Sequence, residues 1–110
     1  IHSVNATLIS RVRRTAFTVQ GYEMAKALEG VDTPEEAVSV PIFPNDQDIP
    51  RLAKRVDAYL DEHPGTIGYL LESHGLYTWG RTMADARRHT EALEFLFACE
   101  MELARLRALP

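Results

Sequence analysis

The chain has 110 residues, 45% of them hydrophobic and 25% charged, with a net charge of −4. That is the make-up of an ordinary globular domain, or of part of one, and it argues against a nucleic-acid surface. Purely apolar stretches fall far short of a membrane span, no signal-peptide pattern is present, and the single Cys99 can make no internal disulfide, which suits a reducing compartment.

In chain order, Ile1-His2 reads as the end of a strand, and an opening without methionine reads as the middle of a longer protein. Ser3 is a good N-cap for a short helix from Val4 to Arg11, with Val4, Leu8 and Val12 expected inward. Arg11, Arg13 and Arg14 read as a solvated helix end. Residues 15–19 alternate and carry β-branched side chains, which predicts a strand ended by Gly21. Helix formers from Tyr22 to Glu29, closed by Gly30, predict a second helix, and 31–36 a loop. Residues 37–43 read as a strand in which Pro41 suggests an edge or a bulge.

Pro44 to Asp48 is turn chemistry. Its carboxylates lack the spacing and the downstream Glu of a calcium loop, so a helix-capping role is expected. A helix then runs from Ile49 to Glu62, with Pro50 tolerated in its first turn and Ile49, Leu52, Val56, Tyr59 and Leu60 on the inner face. His63-Pro64-Gly65 stops it, with His63 solvated at the helix end.

Residues 66–80, TIGYLLESHGLYTWG, are the centre of the pattern. Two strand-like runs meet at a tight bend, and the first has apolar or small residues on both faces, as in a sheet covered by helices. His74 sits where that buried strand ends, a usual place for ligands in open α/β sheets. Thr82 caps a long helix to about Ala108. Leu93, Leu96, Phe97, Met101 and Ala104 form one stripe and Ala92, Phe95, Cys99, Leu103 and Leu106 a second, so burial on two sides is expected, by the rest of the domain or by a neighbouring subunit. Cys99 reads as a core thiol, Arg87 and Glu91 as a solvated pair, and His89 as surface or packing. The alternation of strands and helices is an α/β layered pattern.

Three polar groups stand at element ends: His2, Glu23 and His74. Two imidazoles and a carboxylate are a plausible catalytic zinc constellation, which needs three protein ligands and an open position. Their spacing is long-range, and the sequence alone leaves their convergence open.

The segments HSVNATLISR, GYEMAKAL, VPIFPNDQDI and SHGLYTWG, followed by ARRHTEALEFLF, resemble the class II aldolase family over nearly the whole chain, most closely its methylthioribulose-1-phosphate dehydratase branch. The resemblance implies a three-layer α/β/α sandwich of which this chain is the C-terminal portion, the N-terminal portion lying outside it. It implies one zinc ion per subunit held by an H-x-H-S motif, of which His2-Ser3 is the second half, and by the histidine of an HG motif, His74. Glu23 matches the acid/base residue. Ser73 departs from the basic or amide residue that many relatives carry there. The implied activity is dehydration of 5-methylthioribulose 1-phosphate in methionine salvage by a cytoplasmic homotetramer acting on a small sugar phosphate, with no nucleic-acid or membrane partner. A class II sugar-phosphate aldolase or epimerase, or a non-catalytic binding domain, is the alternative on the same scaffold.

Overall fold

The structure is a computed structural model that describes residues 1–109. Helix α1 (Val4–Val12) leads into β1 (Ala16–Val19), a 3-10 helix (Glu23–Ala27), β2 (Val38–Phe43), α2 (Ile49–Glu62), the hairpin β3 (Gly68–Leu71) and β4 (Gly75–Thr78), and α3 (Met83–Arg107). The strands form one sheet in the order β1-β2-β3-β4. β1 and β2 are antiparallel, β2 and β3 parallel across the α2 crossover, and β3 and β4 antiparallel. The α/β pattern is borne out, and no helix among the described residues is long and apolar enough to cross a membrane.

Strand alternation divides the apolar residues between two cores. Phe17, Val40, Ile42, Leu70 and Leu76 point to the larger one, where α1 and α3 add Ala6, Ile9, Leu93, Leu96 and Phe97. Phe17 and Phe97 meet edge to face at 4.8 Å. Phe43 and Leu71 point to the smaller core, against Leu52 and Val56 of α2. Residues one apart in a strand face opposite ways, so β3 places Leu70 in one core and Leu71 in the other, and the expectation of a strand buried on both faces holds.

Helix boundaries follow their caps. Ser3 Oγ accepts from Ala6 N (2.9 Å), Asp48 Oδ1 from Arg51 N (3.2 Å) and Thr82 Oγ1 from Asp85 N (3.1 Å). Asp48 is thus the capping residue expected of the 44–48 turn. His63 is exposed at the end of α2, stacked on Tyr59, and Arg87 pairs with Glu91 on the solvated side of α3.

Four expectations are corrected. Val4, Leu8 and Val12 face outward, 72%, 41% and 61% exposed. The buried side of α1 is Ala6, Ile9 and Ser10 instead, because two small residues let the helix approach the β3–β4 hairpin closely. Pro41 lies in an interior strand. It pairs with Ala16 of β1, and the ladder to β3 starts only at Ile42, so its nitrogen, which faces β3, interrupts no bond. The 22–29 helix is a five-residue 3-10 helix, ended by extended backbone at Leu28. Ile49 is exposed because it sits at the very start of α2, ahead of the turn that meets the sheet. Of the two α3 stripes, this chain buries Leu93, Leu96 and Phe97 together with Ala92, while Cys99 is half-buried and Phe95 and Leu106 stay open; the open side is the one expected to meet the rest of the domain or a neighbouring subunit.

Candidate metal centre

The β3–β4 turn is built to carry an imidazole. Ser73 adopts φ 61°, and its N–H donates to the buried Ser10 Oγ (2.9 Å), while His74 N donates to Leu71 O (3.0 Å). A side chain on α1 thereby holds the backbone of the turn one residue before His74. The start of the chain comes to the same place. Ile1 N donates to Leu76 O (2.7 Å) and Leu76 N to Ile1 O (3.0 Å), the paired bonds of an antiparallel bridge on the outer edge of β4. Gly75 makes this approach possible. Its φ is +141°, and a Cβ there would collide with the carbonyl oxygen of Ile1 and lie 3.3 Å from the Cα of His2.

As a result the rings of His2 and His74, 72 positions apart in sequence, lie with centroids 4.9 Å apart. Neutral imidazoles are zinc-type donors. A tetrahedral ion about 2.0–2.1 Å from one nitrogen of each ring would hold the centroids roughly 5 Å apart. The observed spacing therefore fits a shared ion. Among the described residues no third His, Cys, Asp or Glu completes a metal-holding group. His74 Nδ1 is 3.1 Å from Asn45 Oδ1, and both residues follow the carboxyl ends of parallel strands, β3 and β2. A groove of about 360 Å³ opens beside them, walled by Ile49, Leu52, Tyr69 and Tyr77. Tyr69 and Tyr77 stack across the hairpin at 5.0 Å. A larger hollow of about 520 Å³, walled by Thr66, Ile67 and Trp79, opens at the other end of the same strands.

Glu23 does not join the two histidines. It follows β1, at the opposite edge of the sheet from β4, and packs with the 3-10 helix beside Phe95 of α3. Four strands at the usual spacing of about 4.8 Å span ~14 Å. The carboxylate is largely solvated and pairs with Lys26 Nζ at 3.0 Å. The notion of three groups converging within one copy of this chain is thus not what the structure shows.

His89, read as surface or packing, is 1% exposed and structural. Its Nδ1 lies 2.7 Å from Trp79 O, and its Nε2 accepts from Glu29 N at 3.1 Å, which requires a neutral ring with the proton on Nδ1. It ties α3 to the ends of β4 and the 3-10 helix, away from the histidine pair. Asn45 and Ser10 were missed by sequence reasoning. A turn asparagine and a helix serine carry no sequence signal of the partners they meet 29 and 63 positions away.

The class II aldolase and adducin N-terminal domain family matches residues 1–102. The chain belongs to that family. Among the relatives of this class II aldolase family chain, proteins named methylthioribulose-1-phosphate dehydratase from Yersinia pestis (strain Pestoides F) and Pseudomonas aeruginosa are each 57% identical to it. They match over 102 and 106 residues, 92% and 96% of this chain but 46% and 52% of their own. The chain spans about half the length of the curated relatives it matches.

One further polar cluster braces this class II aldolase fold. Tyr22 Oη donates to Glu100 Oε2 (2.6 Å) and Arg13 Nη2 to Glu100 Oε1 (2.9 Å). Burial opposes ionisation of Glu100, but the bonds from Tyr22 and Arg13 outweigh it and hold its carboxyl below the usual range. Donation to Glu100, then burial, pushes the Tyr22 phenol up to about 12. The depressed Glu100 supports stability above its unfolded pKa, an effect lost as pH falls through the folded value. The raised Tyr22 supports stability below its unfolded value of 10.0, an effect lost as pH rises to about 12. Tyr22→Phe should lower stability near neutral pH by about 1.5–3 kcal/mol, the usual size for a hydrogen bond to a charged group. It should also flatten the alkaline decline. Urea denaturation at about pH 8 and about pH 11 checks both, and an alkaline decline as steep as the parent's refutes the assignment.

Proposed function

We propose that this chain is the C-terminal portion of a zinc-dependent dehydratase that converts 5-methylthioribulose 1-phosphate to 2,3-diketo-5-methylthiopentyl 1-phosphate in methionine salvage. The observation that carries the reading is the His2–His74 pair in a chain 57% identical to proteins named for that reaction. Those names favour dehydration over aldol cleavage or epimerisation, and the paired imidazoles favour an enzyme over a binding domain. In this reading the N-terminal portion supplies the remaining metal ligand and phosphate contacts and completes a three-layer sandwich, in a cytoplasmic homotetramer.

Zinc, when bound, supplies a Lewis acid that polarises the substrate carbonyl and makes the neighbouring C3 proton removable. His2 and His74 would hold it while adding no negative charge, which would leave it its full electrophilic strength. The groove beside His74 offers apolar walls for the methylthio end of the substrate. Glu23 is the proposed acid/base residue, taking the C3 proton or returning one to the departing C4 hydroxyl. Its place across the sheet from the histidines suits a site assembled between subunits, with Glu23 of one copy beside the metal of another.

The test uses the full-length protein. It should hold about one zinc per subunit and form the diketone from the ketose phosphate. His2→Ala and His74→Ala should each lower zinc affinity by at least about 100-fold and abolish turnover, because each removes a ligand. Release of a small aldehyde in place of the diketone would move the reading to an aldolase, and undiminished zinc content in both variants would remove the site.

A further inference from the structure

We propose that Asn45 is a positioning residue for His74, its side-chain oxygen holding the imidazole proton on Nδ1 and so leaving Nε2 as the nitrogen that meets the metal. The inference rests on the reading of His74 as a metal ligand and assigns a role to a residue outside the ligand set.

The backbone around His74 is already held by the Ser73–Ser10 bond and the closure onto Leu71 O, so what remains undetermined is the ring: its rotation and which nitrogen carries the proton. Asn45 Oδ1 lies 3.1 Å from Nδ1. An amide oxygen can only accept, so this contact requires the proton on Nδ1 and leaves a lone pair on Nε2. The opposite amide orientation would aim an N–H at Nδ1, drive the proton to Nε2 and leave no free donor nitrogen. The two orientations thus predict opposite tautomers and opposite metal affinities. Metal-bound histidines generally donate their second nitrogen in this way, and the partner sets ring orientation.

Asn45 is itself placed by a braced turn. Asp46 N donates to Pro44 O (2.8 Å). The Asp46 carboxylate accepts from Asp48 N (2.9 Å) and from Arg51 Nε and Nη2 (2.5 and 2.7 Å), tying the turn to the first turn of α2. The Arg51 bonds, followed by the one from Asp48 N, hold the Asp46 carboxyl at about 2, so the brace persists across neutral pH. The NDQD segment therefore does two jobs: Asp48 caps α2, and the preceding residues present an amide oxygen to the hairpin.

Nitrogen-15 NMR of the metal-free full-length protein reads the His74 tautomer, and competition against a chromophoric chelator reads zinc affinity. The parent should show the Nδ1–H form. Asn45→Ala should show a mixture or the Nε2–H form and bind zinc about 10–100-fold more weakly. Asn45→Asp, which keeps an acceptor oxygen, should restore both to within a few-fold. An Nε2–H tautomer in the parent, an Asn45→Ala protein with parental tautomer and affinity, or an Asn45→Asp protein as weak as the Ala variant while still folded would each overturn the proposal. A parent that takes up no zinc overturns the metal reading of the site instead, and the tautomer in the metal-free protein still decides the Asn45 contact by itself.

Discussion

Gly75→Ala should separate the two histidines and weaken the proposed zinc site while leaving every proposed ligand in place. The position has φ +141°, a region L side chains rarely adopt, and an added Cβ would run into the Ile1 carbonyl. Backbone strain of this kind costs about 1–3 kcal/mol, and overpacking against an unyielding neighbour about 1–3 more. Relief by moving Ile1 off β4 breaks the two Ile1–Leu76 bonds and carries His2 away from His74. Zinc affinity should fall at least about tenfold, as for loss of a supporting contact to a metal ligand, and stability by at least about 2 kcal/mol. Chelator competition and urea denaturation of the full-length protein measure the two losses. Parental zinc affinity in the Ala variant would show that the Ile1–Gly75 approach does not set the histidine spacing.

Glu23→Gln should fold, assemble and keep its zinc, yet turn over about 10²–10⁴-fold more slowly, the usual contribution of general acid–base catalysis. The substitution preserves shape and removes only the proton-accepting group. Structural roles for this carboxylate are minor: it is largely solvated, pairs only with Lys26, and begins a five-residue helix. An exposed pair of that kind contributes about 0–1 kcal/mol. The position across the sheet from His2 and His74 adds a sharper test. If the site is shared between subunits as proposed, mixed assemblies of Glu23→Gln and His74→Ala subunits would contain junctions where an intact Glu23 faces an intact histidine pair. They should regain activity that neither variant has alone. Diketone formation by pure Glu23→Gln within a few-fold of the parent, at matched zinc, would reduce Glu23 to a helix-end residue. Inert mixtures with normal assembly would place its action within one subunit.

Much of the fold was legible because it rests on local rules. Ser3, Asp48 and Thr82 announce their helices by side-chain bonds spanning three residues, and alternation in 66–80 reports a strand buried on both faces. The 3-10 helix was harder, since the same helix formers suit a longer α-helix and only the run into extended backbone at Leu28 cuts it short. Pro41 misled because strand propensity cannot tell which side of a strand carries the next ladder or where that ladder begins.

For the candidate site, the chain's own chemistry named His2, Glu23 and His74 as the groups worth watching, and the family resemblance added their roles. Which of them meet was decided by topology alone. The antiparallel bridge of Ile1 onto β4, admitted by the missing Cβ of Gly75, brings His2 to His74, and the strand order sends Glu23 to the far edge. The outward stripe of Val4, Leu8 and Val12 belongs to the same lesson: α1 is apolar on more than one face, and the face it buries is the one whose small residues permit close contact. Local bonding and periodicity are written in neighbouring residues, so the sequence by itself determined the elements and their caps. Contacts between residues tens of positions apart depend on register and on which backbones can approach, and those only the tertiary structure decided.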